Sequence, residues 1–203
     1  MKSGPQMVVI HPSRFLPTRI LCLVIMLTSI NLASNYAMIG IPNIKFMDLI
    51  VFLSGYLIGL VPGILVGVLT WLVYGTLNPL GFNLIILVAT CLSETIYAIL
   101  GWLSRRLNLG LNALALVETN KENFWLTNLK FGIVGFFATI IYDLITNIAS
   151  VVIVGLPPIM AIISGAWFAI VHEVSNFVFF FFGCIPLIAV LRKIIPKKEV
   201  MEL

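Results

Sequence analysis

The sequence predicts an all-α membrane protein: six transmembrane helices enclosing an outward-facing ligand cavity, with both termini on the cytoplasmic side. Three observations lead there. Of the 203 residues, 61% are hydrophobic and only 10% charged, and the mean hydropathy is +1.13, far from the balance of soluble domains. The apolar residues fall in runs comparable to the roughly 20 residues that cross a hydrocarbon core about 30 Å thick. The cations gather between alternate runs, as the positive-inside rule requires.

Residues 1–19 read as a cytoplasmic segment carrying Lys2, Arg14 and Arg19. The first run, about 20–40, is expected to be a helix and not a cleaved secretory signal, because residues 31–37 offer no clean A-x-A site. The second and third, about 46–61 and 62–77, meet at GLVPG (59–63), where Pro62 either kinks one long helix or turns the chain between two short ones. Charge decides for two. Six spans leave Lys45 as the only cation outside; five put either the N-terminal group or the group at 105–130 on the wrong face. The fourth run covers about 82–103. A cytoplasmic connection over 104–126 carries Arg105, Arg106 and Lys121, and Lys130 follows it. It reads as a solvated connector, with an interfacial helix or partner contact as the other reading. The fifth and sixth runs cover about 127–154 and 162–191, closing a single membrane domain over 20–192 ahead of a basic tail at 193–203. The formal charge of +4 is therefore a topology signal and an attraction to anionic headgroups, not a nucleic-acid patch. Cys22, Cys91 and Cys184 lie singly in apolar runs, which suggests neither disulfides nor a zinc site.

Ionisable groups inside spans cost several kcal/mol in lipid and usually face a bundle interior or a cavity. Thr90, Glu94 and Tyr97 share one face of the fourth helix, and Thr139, Asp143 and Asn147 share one of the fifth. On the sixth, His172 and Asn176 are four apart, with Glu173 about 100° round the helix. Glu94, Asp143, His172 and Glu173 all lie at similar depth from the outer ends, so one cavity is expected to gather them, with Tyr97, Tyr142 and Trp167 as aromatic lining. Helix-to-helix glue is the competing reading. Asp48, near the outer start of the second run, reads equally as a solvated acid or a ligand contact. HEVSN (172–176) falls short of the zinc-protease H-E-x-x-H because Asn176 stands where the second histidine belongs, and no G-x-S-x-G is present. On the first helix, Ser29, Ala33 and Ala37 form a small-residue stripe nearly opposite a polar stripe of Thr28, Asn31 and Asn35. The first is expected to meet a protein, the second to line the cavity.

With A-x-x-x-A at Ala33–Ala37, IPNIKFMDLIVFLSGYLIGLVPGILVGVLTWLVYG, NPLG (78–81), SETIYAILG (93–101), YDLITN (142–147) and HEVSN in that order, residues 29–192 resemble the substrate-binding S components of energy-coupling factor (ECF) transporters. The resemblance implies a multi-pass subunit of the cell membrane, itself no enzyme and without a cofactor. Such a subunit takes up a vitamin or related micronutrient only with a transmembrane T subunit and two cytoplasmic ATPases. It implies that Ala33 and Ala37 pack on the T subunit and that the loop GIPNIK covers the ligand. The chain carries no G-x-x-x-x-G-K-[ST] phosphate loop, which suits a subunit that leaves ATP to its partners. Cobalamin or a related corrinoid, riboflavin, and a smaller vitamin or precursor stay open as ligands. Two other classes remain beside it: an integral-membrane enzyme, and a self-contained secondary transporter carrying protons on Asp143 and Glu173.

Overall fold

The structure, a computed structural model, describes residues 17–77, 81–110 and 121–195. The N-terminal segment 1–16, the NPL of NPLG, the middle of the 104–126 connection and the tail beyond 195 lie outside the described residues. Six helices make up the described fold: α1 (Thr18–Ala37), α2 (Met47–Ile58), α3 (Leu60–Thr76), α4 (Leu84–Arg106), α5 (Lys121–Ile153) and α6 (Ile159–Ile194). Four of them, α1, α4, α5 and α6, are long and apolar enough to cross a membrane. Among the described residues the only regular elements are helices, and the protein is membrane-embedded.

The helix α2 has 12 residues and α3 has 17, so at 1.5 Å per residue they reach only about 18 and 26 Å. The turn between them falls on Gly59, not on Pro62. Gly59 has φ 104°, a conformation open to glycine alone at little cost, while Pro62 sits in the first turn of α3, where its missing N–H has no helical acceptor to serve. The two helices fold back on each other. A Cβ on Gly63 would lie 2.6 Å from the Gly55 nitrogen, and one on Gly67 3.2 Å from a Val51 methyl, so Gly55–Gly63 and Val51–Gly67 pair in antiparallel order.

In this hairpin α2 becomes the centre of the bundle. Every residue of it except Ile50 is buried, packed against α1, α3, α4 and α6. The approach to α4 is at backbone distance: a Cβ on Gly55 would lie 2.1 Å from the Ala98 carbonyl oxygen, and one on Gly101 2.0 Å from that of Phe52. The last carbonyls of α2 point into protein, where an unpaired one is costly. Arg105 satisfies two of them, donating from Nη1 to the oxygens of Tyr56 (3.1 Å) and Leu57 (3.3 Å). Tyr56 in turn donates to the Leu109 carbonyl at 2.6 Å and accepts from Arg192 at 3.3 Å. The basic ends of α4 and α6 thus close over the tip of the hairpin.

The helix α4 opens on a capped turn, where the Asn83 side chain accepts from the amides of Ile85 (2.9 Å) and Ile86 (3.2 Å). The helices α5 and α6, of 33 and 36 residues, pack against each other along their length. At roughly 50 Å they exceed a bilayer core and must tilt or project. The helix α1 packs on α2 and α3, and an apolar cleft of about 380 Å³, lined by residues such as Leu27, Ile30, Leu53 and Leu187, lies among α1, α2 and α6.

The orientation expected from the charges is checked in a cysteine-free background at two exposed positions flanking α3 and α4. Leu77 is 67% and Leu107 71% exposed. Leu77→Cys should react with a membrane-impermeant maleimide added outside intact cells, and Leu107→Cys only after permeabilisation; the reverse pattern would invert the topology.

Candidate functional site

The polar residues singled out in the sequence collect in four places. The largest cluster centres on His172. Its Nε2 lies 2.8 Å from Asp48 Oδ2 at the start of α2, and its Nδ1 2.8 Å from Asp143 Oδ1 on α5. The Asn176 amide, one turn along α6, donates to Asp48 Oδ2 and to Thr139 Oγ1, the latter at 2.7 Å. Thr139 donates to the Gly135 carbonyl at 2.8 Å, so the Tyr97 hydroxyl at 2.9 Å donates to Thr139. Four helices are tied together here. Tyr142 meets the His172 ring edge-on at 5.7 Å between centroids.

Counting protons defines the charge of this cluster. Each gap between imidazole nitrogen and carboxylate oxygen needs one hydrogen, since an ionised carboxylate only accepts. Two protons shared by one histidine and two carboxylates leave one net negative charge, whether the form is an imidazolium between two carboxylates or a neutral ring beside one carboxylic acid. The cluster is nearly dry: His172, Asp48 and Asn176 are 7%, 3% and 0% exposed. It is also short of donors, because Asp143 Oδ2 and Asn176 Oδ1 are buried without a hydrogen-bond partner.

Glu94 lies apart, between α3 and α4, where its Oε2 accepts from the Trp71 indole at 3.0 Å and its Oε1 is unpartnered. On α1, Asn31 and Asn35 are both fully buried. Asn31 donates to Thr70 on α3 at 3.3 Å and Asn35 to the Met47 sulfur at 2.9 Å, and each leaves its amide oxygen without a partner. Ser29, Ala33 and Ala37 on the other side of α1 are exposed. Glu173 and Asn147 form the fourth place, in a groove between α5 and α6 that Asp143 also lines.

The single cavity expected to gather all these groups is therefore not the arrangement found. Glu173 is turned away from Asp48 and Asn176 into the α5–α6 groove, and Trp167 is 71% exposed and no lining residue. Asp48 is no solvated acid, for it is buried and bonded to His172 and Asn176. Trp71, Thr70 and Met47 were missed as partners. For Trp71 the signal was present, because an indole N–H inside an apolar helix must find an acceptor.

The loop at 38–46 lies against α6 on both sides of His172. The Asn43 side chain donates to the Phe168 carbonyl at 3.0 Å, and the Ser175 hydroxyl, which donates to the His172 carbonyl at 2.9 Å, stands 3.4 Å from the Asn43 carbonyl. Lys45, near the end of the loop, reaches the Tyr74 hydroxyl at 3.3 Å and stands 4.5 Å over its ring. Among the described residues, no three His, Cys, Asp or Glu side chains are arranged to hold a metal ion. The chain matches no protein-family model, no curated protein and no solved structure.

His172→Ala leaves two buried carboxylates facing each other across a gap, so it should lower the unfolding free energy of the ligand-free protein by about 1–3 kcal/mol. Glu173→Gln, at a partly exposed groove position, should stay within about 0.5 kcal/mol. Denaturation of both variants in mild detergent measures the difference.

Proposed function

We propose that the chain is the substrate-binding subunit of an ECF-type importer, a six-span, N-in/C-in protein of the cell membrane. It binds a vitamin-like or micronutrient ligand beside His172, Asp143 and Asn176, and it transports only with a T subunit and two ATPases. The observation that carries this reading is the division of α1 into two working faces. Asn31 and Asn35 turn inward with unpartnered amide oxygens, while Ser29, Ala33 and Ala37 turn outward. An outward stripe of small residues lets a second helix approach closely, which is how helices associate in lipid. The loop held across α6 beside His172 adds a cover for a ligand, and buried acceptors without donors are what a bound polar molecule would complete.

A second reading draws on the His172 cluster. A histidine bonded to two buried carboxylates is a place to store and pass a proton, as in self-contained secondary transporters. That reading predicts uptake into vesicles without ATPases, at a rate that follows the proton gradient.

The two readings separate at Ala33. Ala33→Trp should leave the fold and ligand binding near normal but abolish both co-purification with a T subunit and ATP-dependent uptake. Asn35→Ala should do the reverse, keeping the complex and weakening binding. Joint loss of folding and binding in Ala33→Trp would reduce the stripe to an internal packing seam and defeat the subunit reading.

A further inference from the structure

The groove between α5 and α6 holds about 240 Å³, and its polar residues are Asp143, Asn147 and Glu173 among apolar neighbours such as Ile140 and Ala169. Asp143 and Asn147 stand one turn apart on α5, and Glu173 follows His172 on α6. The position of Asn147 depends on Gly165, for a Cβ there would lie 2.4 Å from the Asn147 amide nitrogen. Only hydrogen lets that amide lie against α6.

The charges in the groove are all of one sign. Asp143 is 6% exposed, uses Oδ1 on His172, and has Oδ2 unpartnered. It belongs to a cluster that the proton count leaves with one negative charge. Glu173 makes no hydrogen bond or ion pair among the described residues, so its carboxylate oxygens are open to a donor. Acceptors dominate, and the complement to two carboxylates and a primary amide is a cation rich in N–H donors. The volume is below the roughly 300–1,000 Å³ of sites for drug-sized ligands, so the cation must be small.

We propose that the α5–α6 groove binds a small organic amine, its ammonium group shared between Asp143 Oδ2 and Glu173, with Asn147 fixing its orientation and Ile140 and Ala169 contacting its apolar body. The proposal rests on the reading that this chain binds a small ligand beside His172. It adds the chemical class and places the approach on the α5–α6 side.

The test uses the full chain in lipid nanodiscs at neutral pH, with phenethylamine as probe and 2-phenylethanol as its uncharged counterpart, followed by calorimetry. Phenethylamine should bind and 2-phenylethanol should not. Glu173→Gln, which leaves the His172 cluster intact, should weaken amine binding about tenfold or more, and Gly165→Ala should also weaken it by displacing Asn147. Equal binding of the two probes, no amine binding at millimolar concentration, or unchanged affinity in Glu173→Gln would each overturn the proposal. Partner assembly in the Ala33→Trp comparison is scored without any amine, so failure here removes the substrate class alone and leaves the subunit reading to stand or fall by itself.

Discussion

The constraint behind the rest of this structure is that Asp48 and Asp143 are buried in a membrane protein with a single imidazole between them. Neither acid can be left alone, since a buried charge without a partner costs far more than the pair returns. His172 meets both at once, fixing the start of α2 against α5 and α6. Asn176 and Thr139 extend the same network to Tyr97 on α4. Such networks tolerate loss of a member poorly, because each group that remains keeps its desolvation cost.

From this follows the unusual place of α2. Its N-terminal end is held by Asp48 and its C-terminal end by Arg105, which takes up two carbonyls that would otherwise face protein unpaired. A helix of about 18 Å is too short to cross a bilayer by itself. Within a ring of longer helices it needs no lipid contact, and Gly55 on α2 with Gly101 on α4 lets the two helices come in to backbone distance. The long helices supply the membrane boundary, and the short hairpin supplies the core.

Much of this was legible in the sequence, through properties that depend on one helix at a time. Hydropathy located the helices, and four-residue spacing put His172 with Asn176 and Asn31 with Asn35. The opposed stripes of α1 emerge with Asn31 and Asn35 buried and Ala33 and Ala37 exposed. What periodicity does not carry is which face meets which. Asp48 and His172 are 124 residues apart, and nothing in either neighbourhood names the other. Glu173 shows the same limit from the other side: 100° of rotation from His172 moved it to a different site altogether. The turn at Gly59 was misplaced onto Pro62 because a proline interrupts a helix only beyond its first turn.

The loop at 38–46 bridges α6 and α3 beside the His172 cluster. It is held to α6 by the hydrogen bond from Asn43 to Phe168, with Ser175 3.4 Å from the Asn43 carbonyl, and to α3 by Lys45 on the Tyr74 hydroxyl. A displacement of α3 against α6 must break at least one of these side-chain ties, so the loop acts as a strap between the two helices.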